Sequence, residues 1–271
     1  REDVAARRAA EDAARPFDLA RRPLFRARLL RLGREEHIVL LCVDQLAGQS
    51  ADHAVWHRRH RGGGALEPRL AYWRERLAGA PELLDLPTDR PRPAVQTHRG
   101  ARERAGTSAG LAGRVRALGR GEGATLYMVL LGAFLLLLAR WARSDDVVVG
   151  SPVAGRTRLE LEGLIGYFAN TLVLRTDLGG AERPTFRELL RRVRAATLGG
   201  YEHQEVPFDR LVAELRPERS PSHSPLFQAT LTLEEATASG WTLPGLRTVA
   251  VETEPTAAKF DLLLHFEAGP G

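Results

Sequence analysis

The chain has 271 residues, a formal net charge of +5 and a single cysteine, Cys42. This length can bury a substantial core, as one large domain or as two lobes. One cysteine excludes a disulfide framework and a zinc site made of thiolates, and it fits a reducing cytoplasm. The basic balance does not indicate nucleic-acid binding, because Lys259 is the only lysine and no arginine cluster is interleaved with aromatic residues.

The amino-terminal part predicts a charged helix followed by two strands. Residues 1–22 form the helical segment, and residues 1–15 carry charges of both signs without the apolar core of a cleavable signal sequence. Residues 24–32 and His37–Val43 are β-like runs that meet at a turn containing Gly33. The second run is continuously apolar, which is typical of a strand covered on both faces.

A helix is predicted next, over Glu67–Leu77, where three large apolar residues recur on one face. The Pro-rich segment 81–93 then indicates an extended linker between two lobes. The three apolar residues on the face of the predicted helix Glu67–Leu77 are Leu70, Trp73 and Leu77.

Two further helices are predicted before the middle of the chain. Leu111, Val115 and Leu118 mark an amphipathic helix. The run 124–139 is uncharged but shorter than the roughly 20 residues that a membrane span needs. We therefore expect a buried core helix capped by Thr125, and no membrane association.

The segment 145–175 contains two predicted strands and the polar residue that we consider the main candidate for a site. The run 147–149 of three valines precedes Ser151 and Pro152, a pattern typical of a buried strand that ends in a turn. A second β-rich run covers 171–176. Asn170 lies just before it, and burying its amide costs free energy unless the amide is paired. Asn170 therefore either caps backbone groups or faces a ligand.

Helix caps and alternating strands complete the chain. Thr185 and Glu188 have the spacing of a capping box, and Pro207 opens a further helix that Pro217 ends. Two runs of strict alternation then predict late, hairpin-like strands. Helices and strands in this mixed order favour an α+β sandwich over a doubly wound sheet. The alternating apolar residues are Phe227, Ala229, Leu231 and Leu233, and then Phe260, Leu262, Leu264 and Phe266.

Several segments, in one order, resemble the motifs of nonribosomal peptide synthetase condensation domains. Residues 165–171 (IGYFANT) are similar to (I/V)GxFxNT, and residues 150–156 (GSPVAGR) are similar to GxPVAGR. Residues 203–209 (HQEVPFD) resemble HQDVPFE, and residues 219–226 (RSPSHSPL) are a looser copy of RDxSRxPL. Upstream, residues 52–56 (DHAVW) resemble the D-(F/Y)-A-V-W element. The ordered set is far more specific than any one motif.

The resemblance implies an α+β fold, the two-layer, two-lobed sandwich of chloramphenicol acetyltransferase, with a truncated first lobe. Residues 1–80 would be a remnant of the first lobe, and residues 81–104 a Pro-rich linker. Residues 105–271 would form the second lobe without its last strand and helix. In the family, an amine on one carrier-bound thioester attacks the acyl thioester on another in a tunnel between the lobes.

The same resemblance implies the partners. They would be carrier-protein domains and adjacent synthetase modules, with neither nucleic acid nor a membrane involved, in the cytoplasm. No cofactor would be bound by the chain itself, because phosphopantetheine is carried by the partner carrier domains.

The catalytic HHxxxDG motif of the family is missing. The strand His37–Val43 should deliver it, but the residues that follow, 44–50, read DQLAGQS. Five residues separate Asp44 from Ser50, and five residues extend at most about 17 Å, too little for the helix that the family places there. We interpret this as an internal deletion and expect little or no catalysis from the chain by itself.

The candidate site residues follow from the strand end and from the matched motifs. Asp44 stands where the histidines would be, but an unperturbed carboxylate with a pKa near 4 is a poor base at neutral pH. The resemblance implies substrate-binding roles for Tyr167, Asn170, Arg156 and His203. Arg156 would pair with Asp44 or be unpaired, and His203 has the alternative role of a hydrogen-bonding residue at a helix entry.

Other kinds of site are disfavoured. His53, His57 and His60 could share a helix face like zinc ligands, but arginines crowd them and no acidic partner is evident, so we predict no metal site. The glycines of 119–123 follow a helix and lack a Lys-Ser/Thr ending, which indicates a flexible turn and not a phosphate loop.

Two classes of function stay open. The first is an impaired amide-forming acyltransferase, and the second is a non-catalytic docking module for a carrier protein or a neighbouring synthetase domain. Acyltransferases of the same fold that act on coenzyme A or alcohols also use the histidine motif, so they fit no better.

Overall fold

The computed structural model describes residues 7–9, 11, 12, 15, 25–43, 66–163, 168–180, 184–218, 220–235, 244–246, 248 and 256–269. The chain divides into two compact units. The first unit comprises Arg1–Gly62, Arg156–Ala169 and Gly240–Glu254, and the second comprises Gly63–Gly155, Asn170–Ser239 and Pro255–Gly271.

The first unit contains the two strands predicted near the amino terminus. Strand β1 (Phe25–Arg31) pairs antiparallel with strand β2 (His37–Val43). The prediction that β2 is covered on both faces is wrong, because Leu29 and Val39, which face each other across the pair, are 64% and 57% exposed. Burial alternates along both strands, so the described residues cover one face of this two-stranded sheet more than the other.

The second unit is built on a four-stranded mixed sheet with the strand order β4-β3-β5-β6. Strand β3 (Asp146–Val153) pairs antiparallel with β4 (Asn170–Asp177). Strand β5 (Ala229–Glu235) is parallel to β3 and to β6 (Leu262–Ala268). The expectation of a late hairpin is therefore wrong: β5 and β6 are parallel, and parallel strands need a crossover connection and not a tight turn.

Five helices occur in the described part of the second unit, and the sequence predicts each of them. They begin where the caps are expected: Thr125 accepts a hydrogen bond from the Met128 N–H, and Thr185 and Glu188 form a complete capping box. Satisfying the first backbone N–H groups in this way fixes where a helix starts. The helices are α1 (Glu67–Leu77), α2 (Ala109–Gly121), α3 (Leu126–Ala142), α4 (Phe186–Glu202) and α5 (Phe208–Leu215).

Helices α3 and α4 contribute fully buried side chains to the core of this unit, together with β3 and β4. The prediction that α3 is a buried core helix holds for one side of it, whereas its other side is exposed. Among the described helices, none alone has the length and apolarity of a membrane span; α2 and α3 pass such a test only as a pair bent by 103°. The largest fully buried residues include Leu131, Leu135, Leu138, Val147, Val149, Leu172, Leu174, Leu189 and Leu190.

The Pro-rich segment is anchored along the second unit by a buried amide. The Gln228 side chain is 1% exposed, its Oε1 accepts from the Leu84 N–H (2.7 Å), and its Nε2 donates to the carbonyls of Glu82 (3.0 Å) and Ser224 (2.9 Å). Arg92 adds an ion pair to Asp261. The compact units therefore do not follow the predicted divisions at residues 80 and 104, because α1 and the segment after it pack within the second unit.

We expect Gln228→Leu to lower the free energy of unfolding by about 3 kcal/mol. The leucine would leave the buried Leu84 N–H without its partner and would remove one hydrogen bond each from the carbonyls of Glu82 and Ser224. A buried group without a partner costs about 1–3 kcal/mol. Gln204→Leu is the matched control, since the Gln204 amide makes one exposed hydrogen bond, to the Tyr201 carbonyl. Urea unfolding followed by circular dichroism measures both changes, and equal midpoints would contradict a structural role for Gln228.

A second constraint on the core is the approach of an aromatic ring to the backbone of β3. A Cβ atom on Gly150 would overlap the ring of Phe227, which is buried. We expect Gly150→Ala to destabilise the fold by about 1–3 kcal/mol, the usual cost of overpacking. The control is Gly113→Ala in α2, where a Cβ would meet no atom within 4 Å. For Gly113→Ala the same urea measurement should show a free energy of unfolding that is higher by up to about 1 kcal/mol, because alanine favours a helix interior over glycine.

Candidate functional site

The candidate site of the second unit is organised by the side-chain amide of Asn170, at the start of β4. Its Nδ2 donates to the carbonyls of Gln204 (2.8 Å) and Val206 (2.7 Å), and its Oδ1 accepts from the Phe208 N–H (3.0 Å). Both amide hydrogens are used, so one lone pair of Oδ1 remains for any other partner. Of the two alternatives drawn from the sequence, the geometry shows backbone capping.

The pairing of strands β3 and β4 brings the GSPVAGR segment beside Asn170. Val153 of the GSPVAGR segment pairs with Asn170, and Pro152 pairs with Thr171. The GSPVAGR segment also receives a hydrogen bond from Tyr127, whose hydroxyl donates to the Ser151 Oγ at 2.6 Å. Burial raises the pKa of the Tyr127 phenol, so this hydroxyl keeps its proton at neutral pH.

The sequence suggested that His203 lies at the entry of a helix. In the structure it lies instead at the end of α4. It is the C-cap of α4, and its Nδ1 lies 2.8 Å from the Gly199 carbonyl oxygen. The imidazole stacks on the ring of Tyr72, with the centroids 3.9 Å apart and the planes at 8°. The adjacent Trp73 donates its indole N–H to the His203 carbonyl at 3.1 Å. His203 is thus held by the turn of α4 and by α1.

Helix α1 therefore supports the site from a distant part of the sequence. Tyr72 and Trp73 contact His203, which lies 130 residues after Trp73, and Arg69 forms an ion pair with Glu205 (3.1 Å). Burial raises the pKa of the Tyr72 phenol. The sequence identified Trp73 as a core residue but gave no signal for Tyr72, because a contact across that separation leaves no local pattern.

The remaining predicted site residues are placed as follows. Arg156 belongs to the first unit, where its guanidinium lies 4.4 Å from the centroid of the Phe168 ring and donates to the Leu161 carbonyl. Asp44 and Tyr167 lie outside the described residues. The structure thus brings Asn170 and His203 together through the segment 203–208, and Arg156 makes its described contacts within the first unit.

A cavity of about 310 Å³ lies in the second unit, near the RSPSHSPL segment. Its lining combines apolar side chains, such as Val148 and Val173, with the charged residues Glu82, Arg216 and Glu218 and with His223. The His223 Nδ1 contacts the Ser224 carbonyl at 3.2 Å. The volume is at the small end of the range for ligand pockets.

No group of three or more His, Cys, Asp or Glu side chains that could hold a metal occurs in the part of the chain that the structure describes. His53, His57 and His60 lie outside that part. The side chains of Asn170 and His203 form hydrogen bonds to backbone carbonyls, which fixes the backbone around them. Among the described contacts of these two residues, none pairs a nucleophile with a base.

Comparison with known families gives a match over most of the chain. Residues 45–269 match the family described as Condensation domain. The matched range includes the segments around Asn170 and His203.

Similar proteins are large synthetases. The chain is 43% identical to a linear gramicidin synthase of Brevibacillus parabrevis over 298 positions, which cover 97% of this chain and 4% of that protein. It is 39% identical to phosphinothricin tripeptide synthetase PhsC of Streptomyces viridochromogenes, over 96% of this chain and 27% of that protein. The chain therefore spans a small part of these relatives. The first alignment is 27 positions longer than the whole 271-residue chain, so that relative contains residues that this chain lacks.

Solved structures confirm the predicted fold class. The chain resembles the X-domain from teicoplanin biosynthesis with a TM-score of 0.84 and 28% identity, over 97% of this chain and 66% of that one. The structure described as the complex of the X-domain and OxyB matches with a TM-score of 0.83 and 29% identity, over 97% and 65%. The first condensation domain of the CDA synthetase, 21% identical over 90% of this chain and 60% of that one, shares the fold with a TM-score of 0.65.

The hydrogen bonds of Asn170 lead to a pH-dependent prediction. Asn170→Asp would place a carboxylate against the carbonyls of Gln204 and Val206. We expect this change to lower the free energy of unfolding by about 3 kcal/mol at pH 7. The repulsion from these carbonyls outweighs the one N–H of Phe208 and raises the pKa of the new carboxyl in the folded state. Its protonated form is therefore the better tolerated one, and the loss should shrink as the pH falls from about 7 to about 4.

Asn170→Ala is the control, because it removes the same hydrogen bonds without adding a charge. Its deficit relative to the unmodified chain should stay constant over that pH range. Urea unfolding of the three proteins at each pH measures the differences, and an Asn170→Asp deficit that does not change with pH would refute the capping geometry.

Proposed function

The chain belongs to the condensation-domain family, and we propose that it serves a nonribosomal peptide synthetase at the step that joins an acyl group to an amine. Both reactants would be thioesters on phosphopantetheine arms of carrier domains. The amine nitrogen would form a bond to the acyl carbonyl carbon, the carbon–sulfur bond would break, and the proton lost by the amine would end on the released thiol. The relatives are peptide synthetases, which supports this assignment.

The observation that carries the proposal is the clamp between two matched motif segments. Asn170 of IGYFANT holds the backbone of HQEVPFD through three hydrogen bonds, and β3 places GSPVAGR beside it. A fixed wall of this kind would position reactants, and positioning can be equivalent to effective molarities of roughly 10⁵–10⁸ M. The second unit would supply this wall.

We propose further that amide formation by this chain alone is impaired. Strand β2 ends at Val43, and no histidine occurs in the seven residues DQLAGQS that follow. A positioned general base contributes about 10²–10⁴-fold, and Asp44 would replace it poorly. The length of the gramicidin synthase alignment, 298 positions over 97% of this chain, supports an internal deletion in this chain.

The predicted site residues keep subsidiary roles in this proposal. Asp44 would be the acid–base group next to the end of β2 in the sequence. The free lone pair of Asn170 Oδ1, the imidazole of His203, the guanidinium of Arg156 and the phenol of Tyr167 would contact the substrate arms. Because Asn170 already binds the backbone of the HQEVPFD segment, its main role in the proposal is to hold that segment in place.

The second candidate function is a non-catalytic docking module for a carrier protein or a neighbouring synthetase domain. A specific observation favours it: one of the most similar structures is a complex of the X-domain with another protein, OxyB. A chain of this fold that had lost its base could keep such a role, because binding requires the surface and not the imidazole.

Amide formation can be tested directly by intact-mass spectrometry of loaded carriers. Donor and acceptor carrier domains are mixed with this chain, or with the matched condensation segment of the linear gramicidin synthase. We expect this chain to form product at least about 10²-fold more slowly, because the base is missing. A rate equal to that of the gramicidin segment would contradict the proposed impairment.

A graft separates loss of the base from loss of the whole function. The residues that the gramicidin segment has, and this chain lacks, are inserted between Val43 and Ser50. Product formation should rise, and the same graft with its histidines changed to alanine should not raise it. If the intact graft binds both carriers but stays inactive, the docking function is favoured over amide formation.

A further inference from the structure

The cavity of about 310 Å³ in the second unit is distinct from the segment that Asn170 holds. Val148 of β3 and Val173 of β4 line it, and they are 4% and 1% exposed. Val173 lies three residues along β4 from Asn170, which is about 10 Å at the rise of a strand. Neither Asn170 nor the residues that it binds line the cavity. The cavity is therefore a second candidate site on the same sheet.

Two polar side chains fix the walls of this cavity. The Gln228 amide, which is 1% exposed, donates to the carbonyl of the lining residue Glu82 and to that of Ser224, which directly precedes another lining residue. The Arg175 guanidinium donates to the carbonyl of Ala78 at 2.7 Å, on a different wall. Because these contacts hold the backbone of the walls, the cavity is formed before a ligand binds, and a preformed site loses less free energy to ordering.

Charged side chains of both signs line the same cavity without partners of their own. Glu82, Arg216 and Glu218 are exposed residues of the lining. Within the part of the chain that the structure describes, none of these three side chains forms an ion pair or a hydrogen bond. A ligand that carries one negative and one positive group would find a counter-charge for each of them here.

Three residues of the lining have left-handed backbone. Gly79, Arg216 and Leu226 have φ values of 65°, 46° and 67°. A positive φ is ordinary for glycine, but it is an outlier for a bulky residue such as leucine. Strained positions of this kind cluster at ligand sites, where the surrounding structure holds them in place. The backbone at Leu226 therefore supports a built ligand site.

We propose that this cavity binds a free α-amino acid with an apolar side chain. The side chain would pack on Val148 and Val173. The carboxylate would pair with Arg216, and the ammonium with Glu82 and Glu218. The volume suits so small a ligand, because it lies at the lower end of the range for ligand pockets.

The charges of the lining separate this ligand from the reactants of the proposed amide formation. An aminoacyl thioester has no carboxylate, so it would leave Arg216 without a counter-charge. The inference therefore does not rest on amide formation by this chain, and a chain without turnover can still bind the amino acid.

Isothermal titration calorimetry of the complete 271-residue chain with L-leucine tests the proposal. Three analogues are compared with it: isocaproate lacks the ammonium, isoamylamine lacks the carboxylate, and glycine lacks the apolar side chain. We expect L-leucine to bind and each analogue to bind at least about tenfold more weakly, because each lacks one of the three recognised groups.

Arg216→Asn removes the counter-charge of the carboxylate, and asparagine tolerates the left-handed backbone at this position. It should weaken the binding of L-leucine at least about tenfold and leave that of isoamylamine within about twofold. Arg143→Asn is the matched control. Arg143 is an exposed arginine that ends α3 with φ 52°, and it does not line the cavity. This control should leave the affinity for L-leucine unchanged.

The double variant Glu82→Gln and Glu218→Gln should weaken the binding of L-leucine and spare that of isocaproate. Urea midpoints verify that every variant is folded. The proposal is overturned if L-leucine, L-valine and L-phenylalanine all fail to bind, or if isocaproate or isoamylamine binds as tightly as L-leucine. Equal effects of Arg216→Asn and Arg143→Asn would also overturn it. Because none of these measurements involves turnover, failure of the carrier assay leaves this result independent.

Discussion

The hydrogen bonds from the Asn170 amide to the backbone of Gln204, Val206 and Phe208 are the interaction on which the candidate site depends. The segment 204–207 leaves α4 and enters α5 without the i to i−4 hydrogen bonds of an α-helix. A buried backbone group without a partner costs as much as a lost hydrogen bond. Asn170 supplies partners for three such groups at once, so it fixes the path between the two helices relative to β4.

Two other long-range contacts fix α1 and the Pro-rich segment within the second unit. Tyr72 and Trp73 hold His203 from α1, and Gln228 holds the Pro-rich segment through its buried amide. Both contacts join residues more than 100 positions apart. The Pro-rich segment that follows α1 therefore packs within the second unit. For this reason the second unit begins at residue 63 and includes α1.

Positioning and proton transfer are separable contributions to amide formation. The Asn170 amide is paired with the backbone on both its nitrogen and its oxygen. The seven residues after β2, DQLAGQS, contain a carboxylate and amides but no imidazole. The impairment that we propose therefore concerns proton transfer and not positioning.

The sequence by itself determined the local elements and the family. Apolar periodicity predicted the helices, and the caps at Thr125 and Thr185 predicted where two of them begin, because those signals act over three or four positions. Ordered motifs predicted the fold class. Only the tertiary structure decided that β5 and β6 are parallel, that His203 ends a helix, and that the Asn170 amide serves the backbone. These outcomes depend on contacts between segments that are distant along the chain, and such contacts leave no periodic signal in the sequence.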